Sequence, residues 1–265
     1  YNAKSGHIGG AFSIADILTV LYFNEMNIDA KIPDSPDRDR LVLSKGHASA
    51  ALYAVLAEKG YIDKEELKTF RNIDSNLQGH PDMNKVPGVD MTTGSLGQGL
   101  SAANGMALSS KLDSRGYRVY CILGDGELQE GQVWEAAMTA EKYQLDNLCV
   151  IVDANELQLT DSTMNVKGIN YNDIEQKFRA FGFQTVVIDG HNIESIIRAL
   201  TIAEMTKGKP TAIICKTIKG KGVSFMENQV DWHGKAPNDE EYEMAVKELK
   251  QEAEKIQEKI MNREV

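Results

Sequence analysis

The sequence contains few cysteines, no long apolar run and no excess of positive charge, and each shortage excludes a class of protein. Its three cysteines, Cys121, Cys149 and Cys215, stand far apart in apolar stretches. This pattern predicts reduced, buried thiols in a cytoplasmic protein rather than a disulfide framework. No apolar stretch approaches the roughly 18 residues that a membrane span needs. A formal net charge of −10 provides no basic surface for nucleic acid or an anionic membrane, so neither partner is expected.

Two further patterns are missing. The Gly-x-Gly-x-x-Gly turn of dinucleotide-binding sheets does not occur, which places a plain nucleotide-binding sheet last among the functions considered. Internal repeats, low-complexity segments and a clear domain boundary are missing as well. A chain of 265 residues is long enough to bury a core of its own, and we expect a single domain over residues 1–265.

The order of apolar segments predicts an α/β fold, in which a parallel β-sheet is covered by helices on both faces. Ser13 and Asp16 have the spacing of a capping box at the start of the first helix. Strands are expected at 41–43, 117–123, 147–153, 184–189 and 210–216. Helices are expected at 13–25, 48–58, 63–70, 100–112, 131–143, 172–181, 192–206 and 239–260.

The most informative residues follow two neighbouring strands. Gly124, Asp125 and Gly126 come after the strand 117–123, and Asn155 comes after the strand 147–153, with 28 residues between Gly126 and Asn155. A Gly-Asp-Gly run alone is equally typical of a tight turn, but this spacing is that of one crossover helix and the next strand. A carboxylate and an amide oxygen would then meet at the carboxyl edge of the sheet, where α/β folds bind ligands. Such oxygens suit a hard divalent cation that holds a diphosphate.

Seven segments in order resemble the N-terminal, diphosphate-binding domain of transketolase, a thiamine diphosphate enzyme. The resemblance extends over nearly the whole chain, and the segments are residues 5–10 (SGHIGG), 44–48 (SKGHA), 79–82 (GHPD), 92–99 (TTGSLGQG), 124–131 (GDGELQEG), 153–158 (DANELQ) and 232–234 (WHG). The resemblance implies the fold of thiamine diphosphate-binding domains. It also implies thiamine diphosphate as cofactor, held with Mg²⁺ for which Ca²⁺ or Mn²⁺ could substitute.

The resemblance also assigns roles to individual residues. It implies that Asp125 and Asn155 bind the metal through side-chain oxygens, and Leu157 through its carbonyl. The residues expected to contact the cofactor are His47, Gly94, Leu96, Gly124, Asp125, Gly126, Glu127, Asn155 and His233.

Four of the five histidines fall at positions that surround the reacting atoms in the family. We expect His7 and His233 to act on the leaving and accepting hydroxyls, His80 to orient the donor sugar, and His47 to contact the cofactor. His191, by contrast, is interpreted as structural.

Charged residues near the expected site allow two interpretations. Glu130 and Glu135 lie at the start of a helix, where acids are favoured by the helix dipole; in the family they belong to an acidic relay between the two active sites of a dimer, which is the interpretation we favour. The sequence also has a small basic cluster, for which an exposed loop is favoured over a phosphate contact: Lys216, Lys219 and Lys221.

Complete transketolases are longer, because a following region binds the pyrimidine ring of the cofactor and the sugar phosphate. We therefore expect this chain to be the N-terminal subunit of a split transketolase, or else a fragment. As a subunit it would act on sugar phosphates only together with a C-terminal subunit, in an α2β2 assembly. Alternatives are a deoxyxylulose-5-phosphate synthase-like subunit, a 2-oxoacid dehydrogenase α subunit, and a non-catalytic paralogue that binds the cofactor. Ser95, the pair Ile8-Gly9 and Glu156 depart from the common family pattern without removing a ligand.

Overall fold

The fold is built on a parallel five-stranded sheet. A computed structural model describes residues 1–262, so the last three residues of the domain predicted over 1–265 lie outside the described residues. The strands are β1 (Arg40–Leu43), β2 (Val119–Gly124), β3 (Leu148–Ala154), β4 (Gln184–Asp189) and β5 (Thr211–Lys216), in the spatial order β1-β2-β3-β5-β4. All neighbouring pairs are parallel, so the predicted fold class is confirmed.

Helices connect these strands and pack on the sheet, whereas the last helix follows β5 and packs on the segment after that strand. The α-helices are α1 (Ile8–Phe12), α2 (Ala15–Val20), α3 (Ser49–Lys59), α4 (Gly99–Leu112), α5 (Gly131–Lys142), α6 (Thr163–Lys167), α7 (Tyr171–Ala180), α8 (Ile193–Met205) and α9 (Asp239–Met261). A π-helical turn, Leu21–Glu25, extends α2, and short 3₁₀ helices lie at Gly46–Ala48, Lys64–Thr69, Gly126–Gln129 and Val230–His233.

Alternating side chains of the strands build a separate core on each face of the sheet. In β3, Cys149 and Ile151 pack with buried residues of α2, α3 and α8, whereas Val150 and Val152 pack with those of α4, α5 and α7. Every residue of β3 is buried, as expected of a central parallel strand that is covered on both sides. Within residues 1–262, no helix is both long enough and apolar enough to cross a membrane.

Two predictions about helices were wrong in detail. The predicted helix 13–25 begins at Ala15, and its N-cap residue Ile14 makes no side-chain capping bond. Ser13 does not cap this helix, since it is the C-cap residue of α1 with helical dihedral angles, φ −60° and ψ −24°; its hydroxyl donates to Asp153 Oδ2 at 2.6 Å. The predicted helix 63–70 is a 3₁₀ helix over Lys64–Thr69 with a capping box from Asp63.

Parallel pairing sets the position of the site. Gly124 of β2 is level with Asp153 of β3, so the turns that follow both strands leave the sheet side by side. Asp125 N donates to Asp153 O at 3.2 Å. The loops that carry Asp125 and Asn155 are thereby held at the same edge, as the spacing predicted.

Candidate active site at the carboxyl edge of the sheet

A cavity opens above the carboxyl ends of β2 and β3. Its volume is about 320 Å³, at the lower end of the range of ligand pockets, roughly 300–1,000 Å³. It is lined by His7, Gly10, Lys45, His47, Gly94, Leu96, Gly124, Asp125, Gly126, Glu127, Asn155, Leu157, Gln158, Leu159, Lys219 and His233. Every residue predicted to contact cofactor or metal lies in this lining.

Asp125, Asn155 and Leu157 supply the oxygens predicted to bind a metal. The Asp125 carboxylate is buried and accepts backbone hydrogen bonds from Gly126 (2.7 Å) and Glu156. Burial, followed by the negative charge of Asp153, raises the pKa of Asp125 to about 7. A carboxylate held in this way retains lone pairs for a cation, and a cation would offset the cost of its burial.

A buried network beneath the cavity fixes the orientation of Asn155. Asp153 is fully buried and accepts hydrogen bonds from Asn155 Nδ2 at 2.9 Å, and from Ser13, Lys45 and Thr217. Burial acts to raise the pKa of Asp153, but the Lys45 ammonium and the hydroxyl donors outweigh it and hold the pKa below its usual value. The amide nitrogen of Asn155 is thereby committed to Asp153, so the amide oxygen, which accepts from Leu157 N at 3.1 Å, is the atom that could bind a metal.

The structure contains a positive charge beside the predicted metal ligands. Lys219 Nζ lies 2.8 Å from the carbonyl oxygen of Leu157 and donates to it. The described residues contain no cluster of three His, Cys, Asp or Glu side chains that could hold a metal. One carboxylate, one amide and one carbonyl form a weak metal site alone, but they suit a cation that also takes oxygens from a diphosphate. The residues present therefore fit a metal-diphosphate group.

Lys219 corrects the prediction of an exposed basic loop. Its side chain is 1% exposed, because the segment after β5 turns into the cavity. The outer two lysines do lie at the surface: Lys216 stands over the ring of Tyr171, and Lys221 lies 3.4 Å from Glu227. Sequence reasoning missed the inward turn, for which the only signal was the pair of glycines at 220 and 222.

Glu127 lines the cavity, but its carboxylate is occupied by the protein. Oε1 accepts from Gly97 N at 2.9 Å and from the Ser44 hydroxyl, and Oε2 accepts from Gly124 N at 3.0 Å. Burial raises the pKa of Glu127, against the effect of these donors. The geometry points to a residue that ties the two glycine-rich turns together.

Gly94 has a conformation and a neighbour that exclude a side chain. Its φ is +149°, and a Cβ atom there would lie 3.0 Å from Cγ of His80. The His80 ring thus lies against Gly94, which lines the cavity together with Leu96.

Three of the four predicted active-site histidines come together. The ring centroids of His7, His47 and His233 lie 5.3 to 5.8 Å apart. Burial, then the charge of Lys45, lowers the pKa of His47 to about 2. Burial, then Lys219, lowers the pKa of His233 to about 3. The cavity therefore presents neutral imidazoles, which can donate or accept hydrogen bonds.

The other two histidines lie apart from this group. His80 is exposed, and burial of part of its ring, followed by the charge of Arg71, lowers its pKa. His191 bridges two segments: Nδ1 lies 2.7 Å from Asp16 Oδ2, and Nε2 accepts from the backbone N–H of Ile218 at 2.8 Å. These bonds are those of a structural residue, as His191 was interpreted.

Glu130 and Glu135 lie outside the cavity and are exposed in the single chain. Glu130 is the N-cap residue of α5, without a side-chain capping bond, and Glu135 follows one turn later. Glu135 borders a shallow groove between α4 and α5. Their role in a relay stays a prediction, because it requires a second copy of the chain.

Comparison with known proteins places this arrangement in a family. The family model described as "Transketolase, thiamine diphosphate binding domain" matches residues 1–262. The chain is 47% identical to the 6-deoxy-6-sulfo-D-fructose transketolase subunit SqwG of Clostridium sp. (strain MSTE9), over 93% of this chain and 89% of that subunit. It is 42% identical to an apulose-4-phosphate transketolase subunit from Phocaeicola vulgatus, over 97% of this chain and 90% of that subunit.

A solved transketolase structure supports the same family assignment. The fold matches transketolase from Campylobacter jejuni with a TM-score of 0.87 and 37% identity, covering 94% of this chain and 40% of that chain. This chain thus spans less than half of that transketolase chain, whereas it spans most of the two subunits. The predictions of family, enzyme class and cofactor are confirmed. The chain therefore belongs to the transketolase family, as the thiamine diphosphate-binding domain of a transferase that uses this cofactor with a divalent metal ion.

Proposed function

We propose that this chain is the N-terminal subunit of a two-subunit transketolase, which transfers a two-carbon ketol unit between sugar phosphates. The observation that carries the proposal is the group of three neutral imidazoles beside the Asp125–Asn155–Leu157 oxygens. Cofactor binding alone requires no such group, whereas a ketose and an aldose present several hydroxyls that must be bound.

The diphosphate end of the cofactor is assigned to the floor of the cavity. Asp125, Asn155 and the Leu157 carbonyl would hold the metal ion, and the Gly126 N–H and the Lys219 ammonium would bind phosphate oxygens. When bound, thiamine diphosphate supplies the carbanion chemistry of ketol transfer. The protein's own contribution is binding, orientation and the exclusion of water.

The histidines are assigned to the sugar. His7 and His233 would hydrogen-bond the hydroxyls that lose and gain protons, His47 would lie against the cofactor, and His80 at the cavity mouth would orient the donor. Because burial and neighbouring cations lower their pKa values, all four enter the reaction as neutral rings near pH 7.

We assign the missing wall of the cavity to a C-terminal subunit that carries the pyrimidine-binding domain. The relatives that this chain spans almost completely are named as subunits, which supports a divided enzyme. A second copy of the chain would cover Glu130 and Glu135, now exposed, and so build the acidic relay of an α2β2 assembly. The reduced, buried cysteines support a cytoplasmic location.

Reconstitution tests this function. The purified chain and its C-terminal partner are assayed separately and mixed, with Mg²⁺, thiamine diphosphate, xylulose 5-phosphate and ribose 5-phosphate. The sugars in the names of the two relatives, 6-deoxy-6-sulfo-D-fructose and apulose 4-phosphate, are assayed as further donors. We expect no ketol transfer by either chain alone and turnover on mixing, in a complex with the mass of two copies of each. Robust turnover by this chain alone contradicts the proposal, as does pyruvate decarboxylation, or cofactor binding without any turnover, in the mixed complex.

A further inference from the structure

Arg71 contacts His7, which lines the cavity, but does not line the cavity itself. Its Nη2 lies 3.3 Å from Nδ1 of His7, and its Nη1 lies 3.2 Å from the Ser5 hydroxyl. A guanidinium has only donors, so Nδ1 of His7 must accept this hydrogen bond. A neutral imidazole that accepts at Nδ1 carries its proton on Nε2.

Two features of Arg71 that accompany this contact are unfavourable for the stability of the fold. Arg71 has a φ of +65°, in the left-handed region that residues with a side chain rarely adopt. Its backbone N–H donates to Leu77 O at 2.8 Å. Among residues 1–262, its buried Nε has no hydrogen-bond partner, and an unpaired buried donor is destabilising. A segment optimised for stability alone would not retain these features.

Gly79 completes the arrangement. A Cβ atom at Gly79 would lie 2.8 Å from both Nε and Nη2 of Arg71, so the guanidinium reaches His7 across the bare Cα of this glycine. Any side chain at position 79 would displace the guanidinium. Gly79 immediately precedes His80, so the same segment allows Arg71 to reach His7 and places His80 against Gly94.

We propose that Arg71 is a positioning residue that holds His7 as the Nε2–H tautomer, so that this ring is a hydrogen-bond donor toward the ketose. The inference deepens the proposed function and depends on it for the identity of the substrate. In this form His7 donates to a hydroxyl or carbonyl oxygen of the sugar and does not begin the reaction as a base.

The groups that face His7 support the neutral donor form. Arg71, His80 and Lys219 are the charged or titratable side chains that act on it, and the rings of His47 and His233 lie beside it. Among the described residues, no carboxylate is one of the groups that act on the His7 ring. Burial, then Arg71, lowers the pKa of His7, so a second proton on the ring is disfavoured.

The tautomer can be measured directly. Nitrogen-15 NMR of the purified chain reports which ring nitrogen of each histidine carries hydrogen, and His7→Gln assigns the His7 signals. We expect the wild-type ring to be protonated at Nε2 and unprotonated at Nδ1. Arg71→Ala should give a mixture of tautomers, and Arg71→Lys, which keeps a donor, should restore the Nε2–H form in part. Lys68→Ala, which removes an exposed cation of the same segment, should change nothing.

Kinetics of the reconstituted two-subunit enzyme give the second readout. Arg71→Ala should lower kcat/KM for the ketose about ten-fold, the effect of about 1.4 kcal/mol, while thiamine diphosphate affinity stays unchanged, since Arg71 does not line the cavity. A wild-type ring protonated at Nδ1, or a folded Arg71→Ala chain with the wild-type tautomer, overturns the inference. If Arg71→Ala does not fold, the wild-type and Arg71→Lys spectra decide. Absence of ketol transfer in the wild-type complex would count against the proposed function and leave the tautomer measurement standing.

Discussion

Replacing Lys219 with methionine distinguishes a cofactor-binding lysine from a structural one, because the two roles predict opposite results. Lys219 is 1% exposed, and its Nζ donates to Leu157 O and to His233 Nδ1, both at 2.8 Å. Burial, then the positive charge of Lys45, lowers its pKa from 10.5 to about 8. At 1.36 kcal/mol per pKa unit, keeping this charge in the metal-free chain costs about 3 kcal/mol near pH 7.

The change should therefore leave the metal-free chain as stable as before, or more stable. Methionine removes the cost of burying the charge, and the loss of two hydrogen bonds, about 1 kcal/mol each, offsets only part of that gain. Cofactor affinity should fall instead. Each charge-assisted bond to a phosphate oxygen contributes roughly 1.5–3 kcal/mol, so the dissociation constant should rise about ten- to one-hundred-fold.

Two measurements on the same preparations decide the matter. Calorimetric titration with thiamine diphosphate and Mg²⁺ gives the affinity, and urea unfolding of the metal-free chain gives the stability. Lys221→Met, which changes a surface lysine two residues away, is the matched control and should affect neither. Unchanged cofactor affinity in Lys219→Met would refute the assignment of this lysine to the diphosphate. A large loss of unfolding free energy would show that its ammonium serves the fold.

Three further changes test other parts of the site. Asp125→Ala should weaken metal-dependent cofactor binding at least about one-hundred-fold, or ~2.8 kcal/mol, in a titration with Mg²⁺, while circular dichroism shows the fold retained; equal binding would mean that the metal lies elsewhere. Glu127→Gln replaces an acceptor oxygen with an amide nitrogen among three hydrogen-bond donors, so the free energy of unfolding, measured by thermal unfolding, should fall by roughly 2–4 kcal/mol. Glu130→Gln changes an exposed residue three positions away and should have almost no effect on it. His47 has a pKa of about 2 in the folded chain and near its ordinary value of 6.5 when unfolded; the unfolded state therefore holds more protons between these values, and unfolding free energy falls as pH falls. The slope attributable to His47 is at most about 1.4 kcal/mol per pH unit, and denaturant unfolding of His47→Gln between pH 7 and 5 should show a shallower decline than the wild type.

The strands and the carboxyl-edge site could be predicted because their signals are local. The run from Leu148 to Val152 is apolar throughout, which is typical of a strand covered on both faces. Asp125 and Asn155 follow two such strands, so parallel pairing alone brings them to one edge. No longer-range information was needed for either prediction.

The roles of other residues could not be predicted, because they depend on contacts between segments that are far apart in the sequence. Ser13 has the spacing of a helix cap, but it ends α1 in a helical conformation, and its hydroxyl donates to Asp153, a partner far away in the chain. Lys45 belongs to a recognised segment, yet only the folded structure shows that its ammonium is paired with the same carboxylate. Lys219 was expected at the surface because lysines usually are. A buried cation becomes predictable only when the path of its loop is known.

The cavity has a consequence for when the coenzyme can be acquired. Its walls come from segments that are far apart in the sequence: the ring of His7 lies 5.8 Å from that of His233, and Ser13 is bonded to Asp153 across 140 positions of sequence. The ribosome adds Asp125 and Asn155, the proposed ligands of the cation, well before it adds His233. We therefore expect a product truncated before His233 to retain the vitamin-derived group poorly, since it would lack one wall of the pocket.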